Sequence, residues 1–290
     1  MSSFRPSDPI DSETVSDLST GSSPAIGSDG EPASTTVVGS ALPATHLPTI
    51  ADAHNVGLKQ WPTLRRFLVR FLRNSAYAAF AMLALLGAII VAYRWIDPPA
   101  SNLMIAQHLT GTTIRQTWKP LDEISPNLLR AVVMSEDAGF CRHRGVDWRE
   151  LEDAYARSVA GGFAGGASTI TMQVVKNLFL WPERSIFRKA IEIPLSLAVD
   201  WVWPKRRTME IYLNIVELGP GIFGVEAAAQ HYFRKPARAL RNDEAALLAT
   251  ALPNPLQRNS SRPSRTHRTL ANRIEARMRH ATRHITCLNA

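Results

Sequence analysis

The sequence predicts a mainly α-helical protein with one transmembrane helix near its N-terminus. The 19 residues from Ser75 to Tyr93 contain no charged side chain, and at about 1.5 Å per residue a helix of this length comes close to the roughly 30 Å of a bilayer core. Beyond residue 100, apolar residues recur at helical spacing, and no segment shows the alternation typical of a strand. These two patterns define the fold class.

Residues 1–58 differ in composition from the rest of the chain. They are rich in Ser, Thr, Pro, Gly and Ala and carry a net charge of −6. Because the whole chain carries +8, residues 59–290 carry +14. Such a segment cannot bury enough apolar surface to offset its chain entropy, and we expect a disordered tail. The basic remainder indicates an anionic partner: nucleic acid, phospholipid headgroups or a phosphorylated substrate.

Residues 59–96 contain a basic flank and the membrane span, which we place at about 75–93. The flank holds Lys59, Arg65, Arg66, Arg70 and Arg73. Because basic flanks stay on the cytoplasmic side, we expect a cytoplasmic N-terminus and an external domain beyond Trp95, which removes nucleic acid as a partner. A buried core helix fits poorly, because the apolar run follows a basic cluster and precedes Asp97-Pro98-Pro99.

Residues 97–258 are predicted to form the helical domain. Ser125 followed by Pro126 indicates a helix start, and apolar residues at helical spacing carry that helix to Glu136. Paired glycines predict a flexible loop, after which Ser168 is a candidate cap for the next helix. Further helices are predicted at 169–180, 184–203, 207–216, 222–232 and 242–251.

Residues 259–290 form a basic C-terminal extension with seven arginines between positions 262 and 283. We expect a helix whose basic face is solvated, in preference to a specific lipid contact.

The two cysteines, Cys141 and Cys287, lack metal-ligand spacing and lie far apart in the sequence. We expect free thiols, because spacing along the chain says nothing about proximity in space. A disulfide stays open as the alternative in an oxidising compartment.

Glu136 and Asp137 are the first candidates for chemistry. The helix predicted from Pro126 ends near Glu136, where backbone carbonyls present partial negative charge. A carboxylate at that position holds its proton more readily than a surface carboxylate, which suits a general base. The ordinary interpretation of such a pair is solvation or pairing with an arginine.

Two further segments add polar residues at helical spacing. The first carries Thr169, Gln173 and Lys176 on one helical face, although any amphipathic helix shows such a stripe. The second carries Arg184, Arg188, Lys189 and Glu192, a pattern that surface ion pairs also explain. Pro194 follows within the same predicted helix and predicts a kink there.

Taken together, the segments place one carboxylate, Glu136, before four cations in the sequence and a second carboxylate, Glu192, after them. This combination suits base-assisted attack on a sugar carbon whose leaving group is a pyrophosphate. Apolar and aromatic residues between positions 179 and 203 either dip into lipid or pack in the core, and the sequence leaves both open.

In this order the segments resemble the five motifs of the biosynthetic peptidoglycan glycosyltransferases, particularly the monofunctional transglycosylases, over about residues 60–258. The matching blocks are Glu136-Asp137 with Phe140, His143 and Gly145; residues 166–180; Arg188-Lys189 with Glu192; Lys205 with Tyr212-Leu213-Asn214; and residues 224–228, Tyr232-Phe233, Lys235, residues 244–248 and Pro253-Asn254-Pro255.

The resemblance implies a lysozyme-like, two-lobed glycosyltransferase domain outside the bacterial inner membrane, in the periplasm. It implies that lipid II and the growing glycan strand are substrates, joined by an inverting β-1,4 transfer that releases undecaprenyl pyrophosphate. It implies no tightly bound cofactor and leaves a divalent cation, Mg²⁺ or Mn²⁺, open. Membrane lipids and other cell-wall synthesis and division proteins are the partners it suggests.

The resemblance also assigns roles by position. Glu136 is the general base and Glu192 the second catalytic carboxylate. Lys176 and Arg184 neutralise the pyrophosphate. The substrate cleft is completed by Ser168, Gln173, Asn177, Arg188 and Lys189.

Three positions depart from the family pattern: Met172 replaces a usual glutamine, Pro194 interrupts a helix normally free of proline, and Asp200 replaces a glutamate. Met172 and Pro194 support one alternative function, a weakly active scaffold of the wall-synthesis machinery. A glycan-cleaving muramidase or lytic enzyme is another alternative, which the cationic patch and the membrane anchor disfavour. Since only 30 residues follow position 260, we expect glycan strand synthesis without transpeptidase activity.

Overall fold

The computed structural model describes residues 61–161, 166–183 and 185–289. The chain divides into two compact units, residues 1–65 and residues 66–290. The first unit enters the description only through residues 61–65, which begin a helix. The predicted tail at 1–58 therefore lies outside the described residues.

Helix α1, Trp61–Ala92, contains the predicted membrane span. Its segment Leu64–Ala92 is long and apolar enough to cross a membrane, with a mean hydropathy of 2.2. Only 6% of this window is buried inside the protein, so α1 is not a core helix of the domain. The mainly apolar surface of α1 is instead suited to contact with lipid.

The end of α1 is fixed to the domain by three hydrogen bonds to backbone carbonyls. The indole Nε1 of Trp203 donates to the carbonyl of Ile90 over 2.6 Å, and Arg207 Nε donates to the carbonyl of Tyr93 over 2.9 Å. Arg94 Nη1 donates to the carbonyl of Val202. The first two bonds satisfy carbonyls that the last turn of a helix leaves without intrahelical partners.

The described part of the chain is mainly α-helical, as predicted. The helices that follow α1 are α2 Asn102–Leu109, α3 Pro126–Glu136, α4 Trp148–Val159, α5 Ile170–Phe179, α6 Ile186–Val202, α7 Lys205–Ile215, α8 Val225–Phe233, α9 Asn242–Ala251 and α10 Arg265–Met278. Short 3₁₀ turns occupy Leu121–Glu123, Ala237–Ala239, Ala281–His284 and Thr286–Leu288.

Helix starts follow their capping residues. The Ser125 side chain accepts a hydrogen bond from the backbone N–H of Asn127, and Pro126 occupies the first turn of α3, as predicted. At α5 the prediction of Ser168 as the cap was wrong by one residue. Thr169 is the N-cap, and its hydroxyl accepts from the N–H of Met172, which satisfies a backbone donor at the start of the helix.

A three-stranded sheet, which the sequence did not predict, lies beside the helices. Its strands are β1 Arg115–Gln116, β2 Glu217–Gly219 and β3 Ile222–Phe223, in the order β1-β3-β2. β3 pairs parallel with β1 and antiparallel with β2. Strands of two or three residues are too short to show an alternating pattern, which is why they were missed.

The C-terminal helix α10 belongs to the same hydrophobic core as the preceding helices. It packs against α3 and α9, and it buries His267, Ala271, Ile274 and Met278. Its arginines at 265, 268, 273 and 277 stay exposed. A terminal helix is thus present with an exposed basic face, and its other face packs on α3 and α9.

Cys141 and Cys287 form a disulfide, with their Cα atoms 5.5 Å apart. The prediction of free thiols was therefore wrong. The pairing is a consequence of tertiary packing, because the turn that follows α10 returns to the loop after α3, bringing together positions 146 residues apart.

Candidate active site

A cavity of about 190 Å³ opens at the C-terminal end of α3. Its walls come from the end of α3 and the loop after it, the start of α4, the turn before α5, and α10. Carboxylates and arginines dominate its polar lining, which comprises Ser135, Glu136, Asp137, Arg142, Asp147, Glu150, Ser168, Thr169 and Arg277. Of the predicted site residues, the cavity therefore joins Glu136 and Ser168.

Glu136 is the last residue of α3, and its half-buried side chain reaches the cavity. One carboxylate oxygen accepts a hydrogen bond from Gln173 Nε2 over 3.2 Å, and the other accepts one from Ser135 Oγ over 3.1 Å. Burial raises the pKa of Glu136 above its ordinary value, the charge of Asp137 raises it further, and the two hydrogen bonds oppose this shift. The predicted direction is confirmed, but burial is the dominant cause rather than the helix end.

Asp137 has a structural role next to Glu136. Its buried carboxylate accepts a hydrogen bond from the backbone N–H of Ile170, the first residue of α5, over 3.0 Å. It also accepts one from His143 Nε2 over 2.9 Å. A carboxylate at a helix N-terminus satisfies an unpaired donor and matches the positive end of the helix dipole. Asp137 thus joins the loop after α3 to α5.

Gln173 connects Glu136 to the core. While its amide nitrogen donates to Glu136, its amide oxygen accepts a hydrogen bond from the Tyr212 hydroxyl over 3.1 Å. Tyr212 is fully buried on α7. Burial raises the pKa of Tyr212 well above its ordinary value, with the charge of Glu136 as the next cause. The tyrosine is therefore a stable hydrogen-bond donor that fixes the orientation of the amide.

Glu192 lies on α6 with its side chain only 3% exposed. One carboxylate oxygen accepts from Arg188 Nη1, and the other accepts from Lys189 Nζ over 2.9 Å. Lys189 Nζ also donates to Ser168 Oγ over 3.0 Å. Glu192 does not line the cavity, whereas Ser168 and Glu136 do. Lys189 therefore links Glu192 to the cavity wall through its bond to Ser168.

The loop after α3 rests on α6 and the start of α7. Gly145 has φ +78°, and a Cβ at this position would lie 2.5 Å from the Ser196 carbonyl oxygen. No side chain fits such an approach, which accounts for glycine there. Asp200 pairs with Lys205 at 2.6 Å, and the Lys205 ammonium lies 4.7 Å from the centre of the Phe140 ring. The aspartate that departs from the family pattern therefore retains a cationic partner.

The remaining predicted residues lie on α5 or just before α6. Lys176 and Asn177 are half-buried on α5, whereas Arg184 lies outside the described residues. Met172 is fully buried, and its sulfur lies 3.9 Å from Lys189 Nζ, so it takes part in the packing beneath the cation. Helix α6 continues through Pro194.

Several residues at the site were not predicted. Asp147 is the N-cap of α4, and it lines the cavity with Glu150. The spacing of this acidic pair resembles a capping box and was a usable local signal. Arg142 and Arg277 line the same cavity, but Arg277 reaches it only through the packing of α10, for which the local sequence holds no signal.

The surroundings of Glu192 do not suit a divalent cation. Both of its oxygens accept bonds from cationic side chains, whereas a bound metal ion requires carboxylate oxygens free to coordinate it. Among the described residues, no group of three or more His, Cys, Asp and Glu side chains could hold a metal ion. The donor set around Glu192 therefore fits a pair of protein cations and not a metal ion.

Several known proteins are similar to this chain. The family model described as Transglycosylase matches residues 102–279. The biosynthetic peptidoglycan transglycosylase of Agrobacterium fabrum is 50% identical over 190 residues, which cover 66% of this chain and 84% of the relative. The proteins of the same description from Rhodospirillum centenum and Rhizobium leguminosarum bv. trifolii are 49% and 45% identical, and the matches cover 72% and 79% of this chain and 91% and 97% of those relatives.

Proposed function

The chain belongs to the transglycosylase family and is a peptidoglycan glycosyltransferase, and we propose that it polymerises lipid II into β-1,4-linked glycan strands. Membership of this family agrees with a lysozyme-like, mainly helical fold. The observation that carries the proposal is the environment of Glu136. This half-buried carboxylate has a raised pKa, is held by Gln173 and Ser135, and opens on a cavity of about 190 Å³.

In the proposed reaction, Glu136 acts as the general base. The 4-hydroxyl of the acceptor GlcNAc attacks C1 of the MurNAc that ends the growing strand, on the face opposite the pyrophosphate. Glu136 takes the hydroxyl proton while the new C1–O bond forms. The old C1–O bond breaks, its electron pair passes to the departing undecaprenyl pyrophosphate, and the configuration at C1 inverts. A carboxylate with a raised pKa accepts this proton more readily than an ordinary one.

Cationic side chains stabilise the negative charge of the leaving pyrophosphate in this proposal. We assign this role to Lys176 and Arg184 from their positions in the family motifs, since nearby cations stabilise negative charge that develops in the transition state. Glu192 positions Arg188 and Lys189 through its two ion pairs. Ser168, Gln173 and Asn177 complete the cleft in which the two sugars meet.

The membrane supplies the lipid-linked substrate in the same proposal. An exposed apolar stripe runs along α6 through Ile186, Pro194, Leu197 and Trp201, and Ile186 and Trp201 are 91% and 88% exposed. The end of α6 lies against the end of α1, where Arg94 bonds to the carbonyl of Val202. An apolar helical face beside a membrane span is suited to burial at the lipid interface.

The same arrangement sets the proposed location and partners. The basic flank of α1 orients the N-terminus to the cytoplasm and the catalytic domain to the periplasm of the bacterial inner membrane. Membrane lipids, lipid II and the growing strand are the partners in the reaction. Other cell-wall synthesis and division proteins are the protein partners we propose, and nucleic acid is not among them.

The decisive experiment replaces the proposed base. Full-length Glu136→Gln protein, reconstituted with lipid II, is expected to lose polymerisation by about 10²–10⁴-fold, the usual contribution of a general base. Glu150→Gln is the matched control, because Glu150 is an exposed carboxylate of the same cavity and its loss is expected to leave most activity. Full polymerisation by Glu136→Gln would contradict the assignment.

The same assay separates the alternative functions. Wild-type protein is incubated with lipid II and, separately, with polymerised glycan. Lengthening of lipid II products supports synthesis, whereas shortening of the glycan supports a lytic enzyme. A wild-type protein that binds other wall enzymes and leaves both substrates unchanged would support a scaffold instead.

A further inference from the structure

The last residues of the described chain hold the loop that follows the proposed base. Cys287 is joined to Cys141 by the disulfide, and His284 Nδ1 lies 2.7 Å from the carbonyl oxygen of Ala138. Cys141 and Ala138 lie five and two positions after Glu136. The Cys287 backbone N–H also donates to Cys141 Sγ over 3.3 Å. This end of the chain therefore makes one covalent and two polar contacts within a few residues of the proposed base.

The segment that holds the loop is itself firmly anchored. Ala281, Ile285 and Leu288 are buried, and the carbonyl of Leu288 accepts a hydrogen bond from Arg206 Nη1 on α7. The 3₁₀ turn Ala281–His284 packs against α3, the helix that ends at Glu136. Residues 281–288 thus form a C-terminal clamp that connects α7 to the loop.

The contact with Ala138 shows which ring nitrogen of His284 is the donor. A carbonyl oxygen can only accept, so Nδ1 must carry the proton in the contact with Ala138. The other nitrogen, Nε2, lies 3.3 Å from the Nε of Arg283, which can only donate. Nδ1 is therefore the donor in the contact with Ala138, and His284 acts as an oriented donor.

The clamp lies outside the part of the chain that defines the family. The family match ends at residue 279, whereas the clamp begins at Ala281. The loop it holds lies inside the match and contains Asp137, whose contacts with α5 place the loop on one side. The clamp lies at the C-terminal end of the chain and contacts the same loop at Ala138 and Cys141.

We propose that the C-terminal clamp is a positioning device for Glu136, and that its disulfide makes glycosyl transfer dependent on redox state. The inference rests on the role of Glu136 proposed above. With the disulfide closed, the loop is held between α5 and α7 and the carboxylate stays in line with the cavity. With the disulfide open, the clamp holds the loop only through non-covalent contacts, among them the hydrogen bonds from His284 to Ala138 and from the Cys287 N–H to Cys141 Sγ, and Glu136 is held less firmly in line with the cavity.

The chemistry of opening and closing balances as ordinary thiol–disulfide exchange. A dithiol reductant opens the bond when its thiolate attacks one sulfur and displaces the other as a thiolate; its second thiol then resolves the mixed disulfide, so two electrons and two protons enter the protein. A disulfide oxidant closes the bond by the reverse exchange. An oxidising compartment outside the inner membrane favours the closed form.

The primary test measures glycosyl transfer in the oxidised and reduced full-length protein at a temperature below the melting point of both. Alkylation and mass measurement first verify that the cysteines are blocked in the oxidised sample and free in the reduced one. We expect reduction to lower kcat by about 10- to 100-fold, the usual effect of misplacing a catalytic group, with KM for lipid II unchanged. Cys141→Ser/Cys287→Ser is the control, because it should have the low kcat and ignore the reductant.

A second pair of variants tests the clamp without touching the disulfide. His284→Ala removes the donor to Ala138 and should lower kcat, whereas His284→Asn keeps an N–H near the position of Nδ1 and should restore most of it. A merely structural role would lower the melting temperature in proportion and leave kcat intact below it.

The outcomes separate this inference from the proposed function. Equal kcat in the oxidised and reduced forms, free thiols in the oxidised protein, or full kcat in the double variant would each overturn the clamp while polymerisation stands. An oxidised wild-type protein that does not polymerise lipid II would overturn the proposed function first.

Discussion

The amide of Gln173 donates a hydrogen bond to the carboxylate of Glu136 over 3.2 Å, which ties the proposed base on α3 to the helix opposite it. The amide cannot rotate freely, because its oxygen accepts from the buried hydroxyl of Tyr212 over 3.1 Å. Three helices, α3, α5 and α7, therefore fix one side chain. Gln173 contacts Glu136 directly, whereas Tyr212 contacts only Gln173, so we expect Gln173 to affect catalysis more than Tyr212.

Removing Gln173 should harm catalysis more than removing the hydroxyl behind it. Gln173→Ala deletes the donor to Glu136, and we expect kcat to fall by about 10- to 100-fold. Tyr212→Phe keeps the ring in the core and only releases the amide, so a smaller loss of kcat is expected, with an unfolding cost of about 1–3 kcal/mol for the unpaired amide oxygen. Steady-state kinetics and thermal melting measure both. The ranking fails if Tyr212→Phe has the lower kcat.

The pH dependence of glycosyl transfer should report the raised pKa of Glu136. The base acts as a carboxylate, so kcat/KM should rise with pH through this pKa, above the range of an ordinary glutamate. Because the Ser135 hydroxyl lowers the pKa by bonding the charged form, Ser135→Ala should move the acidic limb to higher pH. Rate profiles of both proteins give the comparison. A limb displaced to lower pH in Ser135→Ala contradicts the hydrogen-bond assignment.

The same shift predicts a trade between stability and activity at Glu136. Its folded-state pKa is raised, so its contribution to stability is fully present below the unfolded pKa and is lost as pH rises through the folded pKa. Glu136→Gln removes the buried charge, and we expect its melting temperature to exceed that of wild type at neutral pH. The difference should shrink in acid. Calorimetry of the two proteins at both pH values measures it, and a less stable variant at neutral pH would refute the sign.

Local signals in the sequence predicted several elements correctly. Ser125-Pro126 predicted the start of α3, whose last residue, Glu136, was also predicted. Helix α9 occupies the predicted residues 242–251. Caps and helical periodicity act within one or two turns, so they are visible in a single sequence. The amino-acid sequence alone is therefore enough to place the proposed base at a helix end.

Features that depend on distant contacts could not be predicted in this way. The disulfide between Cys141 and Cys287 exists because the turn after α10 returns to α3, and no spacing rule reports that return. The burial that raises the pKa of Glu136 is also a tertiary effect. The sequence therefore predicted the direction of the pKa shift but attributed it to the end of the helix rather than to burial. Arg277 reaches the cavity for the same kind of reason.

The ion pair between Lys189 and Glu192 should matter more for stability than an exposed pair of the same kind. Glu192 is almost completely buried, so Lys189→Ala leaves its carboxylate with Arg188 alone and breaks the bond to Ser168. We expect an unfolding cost of about 1–3 kcal/mol, typical of hydrogen bonds to charged groups. Lys119→Ala is the control, because its pair with Glu123 is exposed to solvent and should contribute less to stability than the buried pair. Equal costs would contradict the buried role of Lys189.

Trp201 should affect activity only when a bilayer is present. It is 88% exposed at the end of α6, next to Val202, whose carbonyl is bonded by Arg94 at the end of the membrane span. An exposed indole beside the end of such a helix is suited to the lipid interface. In proteoliposomes we expect Trp201→Ser to raise KM for lipid II by about threefold to tenfold, the effect of losing about 1 kcal/mol of interfacial binding.

In detergent micelles the same variant should match wild type, because the micelle surrounds the domain without a fixed interface. Leu256→Ser is the control, since Leu256 is also an exposed apolar residue but lies on the segment after α9 rather than on the α6 stripe. It should be unchanged in both media. If α6 rests on lipid, removing Trp201 from the interface must change the capture of lipid II from the bilayer. Equal KM values for wild type and Trp201→Ser in proteoliposomes would therefore show that α6 does not rest on lipid.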